Sequence, residues 1–263
     1  MAGEVERVPI SRLTEEGKSR TDDVVVREFL LTIVFNNQEL VTLLCSPANL
    51  DYLAVGFLSS EGLLKSKDDI KKITVDERRG VVRVETETEK KGAGELVFKR
   101  LITSGCGRGT SLYSAADVGG GIKVESQTRI SAIEVFELVA EFQHRSQIFR
   151  ATGGVHSAAL CDTGGILIFR EDIGRHNAID KIFGECILKD ISTADRILVT
   201  SGRVSSEILF KAAKKNIPLL ISKSAPTDLG VKLASDLGVT LIGFVRGKRM
   251  NVYANDWRLA DHG

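Results

Sequence analysis

The sequence predicts an α/β chain whose N-terminal part is α+β, on three observations. In the second half, short apolar runs, GILIF (165–169), RILVT (196–200), PLLIS (218–222) and VTLIGF (239–244), alternate with stretches of helical periodicity. Strands that are apolar throughout and separated by helices belong to a largely parallel sheet covered on both faces. In the first half, apolar segments come in pairs around turn residues, as hairpins do. The glycine run Gly119-Gly120-Gly121 separates the two regimes.

Residues 1–23 are polar and are expected to form a flexible, extended N-terminal arm. They carry acids and no apolar core, unlike a secretion signal. VVVREFLLTIVFNNQELVTLLC (24–45) reads as two strands about Asn36-Asn37, because asparagine tolerates the positive φ of a tight turn. Ser46 and Pro47 are then expected to open a helix as cap and first residue. Leu50, Leu53, Phe57 and Leu58 recur along it at helical spacing, and Gly62 ends it. A second hairpin is expected over 69–92, and GELVFKRLIT (94–103) is a strand running into TSGCGRGTS (103–111). These elements make an α+β domain over 24–125, ending in the loop that holds Cys106.

An α/β domain is expected over 126–263. Ser131 and Glu134 form a capping box ahead of Ile133, Phe136, Val139 and Ala140. NAIDKIFGECIL (177–188) places Ala178, Ile179, Ile182, Phe183, Cys186 and Ile187 on one helix face, and 205–215 and 228–237 are further helices.

Composition excludes several classes. A chain of 263 residues with 43% hydrophobic and 27% charged residues is that of an ordinary globular protein. A net charge of +1 gives no electrostatic reason to bind nucleic acid, and no run reaches membrane-spanning length. The four cysteines are scattered, without zinc-ligand spacing, so no metal site is expected and free thiols in a reducing cytoplasm are.

Ligands of open α/β sheets collect beyond the carboxyl ends of the strands. Here every such loop brings a cation: Arg170 and Arg175 after the first strand, Arg203 after the second, Lys223 after the third, and Arg246, Lys248 and Arg249 after the fourth. Parallel strands would gather them into a rim suited to phosphate or diphosphate. No P-loop is present, so that site is composite.

Cys45 and Cys186 fall in apolar patterns and read as core, and Cys161 is favoured as structural too. Cys106 differs. Gly105 and Gly107 expose it, and Arg108 favours thiolate over thiol. An accessible low-pKa thiol suits nucleophilic or sulfur-carrying chemistry; a protease-type pair with His156 or His176 has no local signature here. His156 is a candidate proton donor or a structural histidine. Asp172 and Asp180 are helix-terminal or ion-pair residues, and Asp172 most simply caps a helix.

The blocks TSGCG (103–107), TGGVHSAAL (152–160), REDIGRHNAIDKIFGE (170–185), LVTSGRVSSEI (198–208), SAPTDLGVKLA (224–234) and LIGFVRGKRMNVY (241–253), in this order, resemble the formate dehydrogenase accessory sulfurtransferase family (FdhD). The resemblance spans roughly 26–253. It implies a sulfur carrier that accepts persulfide sulfur from a cysteine desulfurase. The sulfur then passes to the bis(molybdopterin guanine dinucleotide) molybdenum cofactor before that cofactor enters formate dehydrogenase. The persulfide cysteine matches Cys106, and the cofactor-contacting segment matches Phe244, Val245, Arg246, Gly247, Lys248 and Arg249. The resemblance further implies a cytidine-deaminase-like mixed sheet flanked by helices in the second half, GDP binding, a cytoplasmic homodimer, and no tightly bound metal. Many members carry CGxCG in the loop; here Gly109 stands at the second cysteine position, which removes an intra-loop disulfide from the release step. A deaminase activity is excluded because the H-x-E and P-C-x-x-C zinc elements are absent. The alternative is a chaperone that binds the guanine dinucleotide cofactor without moving sulfur.

Overall fold

The computed structural model describes residues 3–87, 101–102 and 121–260. The chain begins with β1 (Val5–Thr14) and β2 (Gly17–Val26), an antiparallel hairpin in regular register from Val5↔Val26 to Thr14↔Gly17. The expected arm is thus extended but paired. The partly buried residues Val5, Val8 and Ile10 are not evenly spaced by two and stand among polar neighbours, so no strand period shows in the sequence.

The first large sheet has the order β5-β6-β3-β4-β7, formed by β3 (Phe29–Phe35), β4 (Gln38–Cys45), β5 (Ile70–Asp76), β6 (Val81–Thr86) and β7 (Leu101–Ile102). Both hairpins form as the sequence requires, with Asn36 (φ 46) and Asn37 (φ 65) in the left-handed region between β3 and β4. Helix α1 (Leu50–Ser60) covers one face and buries Leu53 and Leu58 against Leu31, Ile33 and Val82. It starts later than expected. Asn49 is the N-cap, and Ser46 is instead buried in contacts with the second half. Gly62 does end the helix region, at φ 79.

The second sheet has the order β10-β9-β11-β12-β13-β14, from β9 (His156–Asp162), β10 (Gly165–Asp172), β11 (Ile197–Thr200), β12 (Leu219–Ser222), β13 (Thr240–Arg246) and β14 (Arg249–Ala254). Strands β11, β12 and β13 are parallel; β9 opposes β11, and β10 opposes β9, so β10 runs with the parallel set. The short strands β8 (Ile130–Ser131) and β15 (Leu259–Ala260) pair beside it. Helices α4 (Arg175–Leu188), α5 (Ser206–Lys214) and α6 (Asp228–Leu237) pack on one face, and α2 (Ala132–Arg145) on the other. The short α3 (Gln147–Thr152) follows α2. Each Leu, Ile, Val or Phe fully buried in these layers contributes about 1.5–3 kcal/mol.

The Ser131–Glu134 capping box forms as expected. The buried stripe of α2 is Val135, Leu138, Val139 and Phe142, while Ile133 stays 61% exposed. Ala132 is buried with this stripe, and Ile133, next in the chain and about 100° further round the helix, points away from it. Ile122 and Val124 pack into the second sheet's core, ahead of the boundary expected at 125.

The two sheets meet where α1 crosses α4. A Cβ on Gly56 would lie 1.7 Å from the Asp180 carbonyl oxygen, and one on Gly184 would lie 1.8 Å from that of Tyr52. Only glycines allow that backbone contact. Beside it, Lys181 and Asp172 form a fully buried ion pair at 2.7 Å. The Asp172 carboxylate also accepts from the Ser46 N–H, the Gly174 N–H and the Asn177 side-chain amide, while Asn177 donates to the Leu44 carbonyl. Asp172 therefore joins the end of β4 to the start of α4; of the two roles expected for it, the ion pair forms, and its bonds reach beyond a helix cap. Asp180 pairs with Lys211 at 2.7 Å and accepts from Ser60.

Candidate functional site

The strand directions place the carboxyl ends of β10, β11, β12 and β13, with the start of β9, along one edge of the second sheet. Asp172 lies opposite His156, Thr200 opposite Ala158, and Ser222 opposite Thr200. The rim expected from the sequence is therefore present, but its cations are not equivalent. Arg170 is ion-paired with Glu185 and stacked over the Tyr52 ring at 5.5 Å, so it belongs to the junction between the sheets. Arg175 packs against Gly202, where a Cβ would meet the Arg175 side chain at 2.9 Å. Arg203, Lys223, Arg246, Lys248 and Arg249 have no ion pair with a described residue.

The 244–249 segment is the turn between β13 and β14. Arg246 pairs with Arg249 across Gly247 and Lys248, with Gly247 at φ 57. Phe244 also sits at positive φ (52), a strained conformation for an aromatic residue, costing about 1–3 kcal/mol. Its N–H donates to the Ser224 carbonyl, which ties this turn to the loop after β12. The Arg246 guanidinium lies 5.8 Å from the Phe244 ring centroid. Arg246, Gly247, Lys248 and Arg249 are exposed and Phe244 is half-buried, whereas the Val245 side chain is 1% exposed, inside the core. Val245 can contribute only backbone to a ligand. Lys223, half-buried, has its pKa lowered by burial and by the charge of Arg246. Two cations repelling each other, with no described carboxylate between them, make this part of the rim an anion-seeking surface.

His156 lies deeper on the same edge. Its Nδ1 is 3.4 Å from the Ser201 hydroxyl, which also accepts from the Ser157 N–H. Burial, then Arg175, lowers its pKa, so the ring is held neutral. His176, in the first turn of α4, faces Glu207 of α5 at 3.5 Å. Burial, then Lys211 and Arg175, nonetheless take its pKa down to about 3. A cleft of about 590 Å³ opens beside His156, between Phe142, Phe149 and Arg150 on one side and Ser201 and Lys223 on the other. Neither the cleft nor the Asp172–Lys181 network was legible in advance, because both depend on which elements pack together. The six-residue α3 that carries Phe149 is too short to show a periodicity.

Cys45, Cys161 and Cys186 are buried, and burial pushes each thiol up to about 12, so these three are packing residues as expected. Cys106 lies outside the described residues. Strand β7, which precedes it in the chain, runs parallel to β4 with Ile102 opposite Leu43, toward the end where Ser46 meets Asp172. Among the described residues no group of three or more His, Cys, Asp or Glu is placed to hold a metal, and no helix is long and apolar enough to cross a membrane.

The chain is similar to known proteins over most of its length. The profile of the FdhD/NarQ family matches residues 26–260. The chain is 45% identical over 239 residues to a protein named sulfur carrier protein FdhD from Bacillus pumilus, covering 91% of each. It is 44% identical over 248 residues to the protein of that name from Bacillus subtilis, covering 94% of this chain and 95% of the relative. A relative of the same name from Staphylococcus aureus is 40% identical over 253 residues, covering 96% of each. In three dimensions the fold matches a crystal structure from Desulfotalea psychrophila, assigned as a formate dehydrogenase accessory protein. The TM-score is 0.81 at 24% identity, covering 97% of this chain and 99% of the other. With a family match over most of its length and relatives above 40% identity, this chain belongs to the FdhD/NarQ family.

Proposed function

We propose that this protein is a sulfur carrier that takes persulfide sulfur onto Cys106 from a cysteine desulfurase and passes it to the bis(molybdopterin guanine dinucleotide) molybdenum cofactor, as its bound substrate, for formate dehydrogenase. The relatives named sulfur carrier protein support the carrier role. The observation that supports the rest is the group of rim cations with no ion pair among the described residues, at the carboxyl edge of the second sheet, where β7 runs toward the Ser46–Asp172 contact. Cys106 follows Ile102 by four residues, a span that reaches at most about 14 Å.

In the loading step, the Cys106 thiolate attacks the terminal sulfur of the donor's persulfide. The S–S bond of the donor breaks, its cysteine leaves as thiolate, and Cys106 carries one added sulfur atom. Arg108 favours the attacking thiolate. Arg246, Lys248 and Arg249, assisted by Arg203 and Lys223, hold the diphosphates of the guanine dinucleotide arms, for which fixed cations are suited. Val245 supports this turn from the core. A homodimer acting in the cytoplasm is part of the same reading.

The second reading, a chaperone that binds the cofactor without moving sulfur, uses the same rim and has no need of Cys106. The two separate in one experiment. After incubation with a desulfurase and cysteine, mass spectrometry is expected to find an adduct of about 32 Da on Cys106, and Cys106→Ala is expected to fail to restore formate dehydrogenase activity in cells lacking the protein. Full restoration by Cys106→Ala would leave the chaperone reading standing.

A further inference from the structure

We propose that a second cleft, at the edge of the second sheet opposite the rim, binds a small organic acid that has one carboxylate and a short apolar body. The sulfur-carrier reading makes no use of this cleft. Three observations carry the proposal.

The first is a cavity with fixed walls. It measures about 490 Å³, within the range of small-molecule sites. It opens where α4 and α5 end, at the amino ends of β11 and β12. The Thr193 hydroxyl donates to the Lys215 carbonyl, and the Ile191 N–H donates to that of Cys186. On the wall formed by residues 65–67, the Lys65 and Ser66 N–H groups donate to the Asp69 carboxylate. The second is a lysine without a carboxylate. Lys215 is half-buried, donates to the Ser59 hydroxyl and lies 6.0 Å from the Phe183 ring centroid. It has no ion pair with a described residue, and burial lowers its pKa. Lys181 and Lys211, also withdrawn from water, each hold a carboxylate at 2.7 Å. Asp180, which attracts Lys215, is already taken by Lys211 and Ser60. A half-desolvated cation with only a neutral hydroxyl and a ring beside it carries a cost that an anion from outside would offset.

The third is the surface around that charge. Phe183, Cys186, Ile187 and Ile191 line the same cleft as Lys215, so a bound anion has apolar surface to cover. Two helices end here, and the partial negative charge of their carbonyl ends disfavours a polyanion such as phosphate. Asp190, paired with Lys67 at 3.1 Å, adds to that effect. A single carboxylate on an apolar body meets both conditions. An exposed lysine complements a helix end equally well, as Lys214 does. The half-burial of Lys215 serves a ligand instead.

The test is calorimetric titration of the full-length protein with hexanoate, hexanol and inorganic phosphate, comparing wild type with Lys215→Gln, Ser192→Trp and Arg246→Gln. Wild type is expected to bind hexanoate saturably, and hexanol and phosphate about tenfold more weakly or less. Lys215→Gln is expected to weaken hexanoate about tenfold or more, with the melting temperature of the unliganded protein unchanged. Ser192 lines the cleft at an exposed position, so Ser192→Trp is expected to block binding without altering a charge. It decides the matter if Lys215→Gln fails to fold. Arg246→Gln, at the rim, is expected to change nothing. No saturable binding of hexanoate by wild type, or unchanged affinity in a folded cleft variant, overturns the proposal. So does hexanol or phosphate binding as tightly as hexanoate, or an equal loss in Arg246→Gln, which would move the acid to the rim. None of these results bears on the sulfur-carrier reading, which the Cys106 experiment decides.

Discussion

The junction between the two sheets and the rim of the second sheet are built from the same kinds of residue, yet they treat charge in opposite ways. At the junction three cations have carboxylate partners: Lys181 with Asp172 and Lys211 with Asp180, both at 2.7 Å, and Arg170 with Glu185, which Lys189 shares. At the rim, Lys223, Arg246, Lys248 and Arg249 have no described carboxylate within ion-pair reach, and burial, then the charge of Arg246, lowers the pKa of Lys223. A buried charge must be neutralised from within, because desolvation costs several kcal/mol per ion. An exposed one can wait for an anion from outside. The molecule thus holds two populations of cations that a count along the sequence would merge.

The largest effect is expected at the junction. Lys181→Met leaves Asp172, fully buried, facing only neutral donors. Removing one partner of a buried pair costs about 3–5 kcal/mol, which for a chain of this size lowers the melting temperature by roughly 10 °C. Adding Asp172→Asn is expected to recover part of that loss by removing the buried charge; the single amide oxygen keeps one of the Ser46 and Gly174 N–H bonds, which reach different carboxylate oxygens in the wild type. A melting temperature unchanged in Lys181→Met would mean that the junction pair is no stronger than a surface one.

The contrast between the two regions was only half legible in the sequence. Periodicity finds the apolar cores of β11, β12 and β13 and the face of α4, because burial on fixed sides leaves a repeat in the chain. Strand direction then puts Arg246 and Lys223 on one edge. What periodicity does not carry is pairing across distance. In the sequence Arg170 follows its apolar run as Lys223 follows its own, although β10 extends through Arg170 to Asp172, and nothing local says that Glu185 will neutralise one and nothing described will neutralise the other. Ser46 is a similar case. Followed by proline it has the pattern of a helix cap, yet Asp172, 126 residues away, takes its N–H. Gly56 and Gly184 look like weak points within helices until the two helices are seen to touch.

An intermediate effect is expected where the two regions meet. Burial, then Lys211 from the junction and Arg175 from the rim, lower the pKa of His176 from an ordinary 6.5 to about 3. A histidine depressed on folding binds its proton more readily when unfolded. Its contribution is therefore complete above about pH 6.5 and is lost progressively as pH falls toward 3. The slope is at most about 1.4 kcal/mol per pH unit, and His156, lowered too, adds to it. Urea unfolding at pH 7 and pH 5 measures this. His176→Gln is expected to flatten the pH dependence by about 1 kcal/mol per unit; an unaltered slope would mean that the ring is protonated in the folded protein.

The smallest effect is the one that separates the two populations most directly. If the rim cations are there for a ligand, they gain the unliganded protein nothing and repel one another. Arg246→Gln removes the charge that lowers the pKa of Lys223. It is expected to raise stability by a few tenths of a kcal/mol at low salt, because exposed charges interact weakly. Salt near 0.5 M shortens the screening length to a few ångströms and should erase the gain. Melting curves at both ionic strengths test the sign. A variant less stable than the wild type at low salt would mean that Arg246 has a structural partner and belongs with the junction cations; a more stable one that also loses GDP affinity would place the charge at the rim for its ligand, at a small cost to the fold.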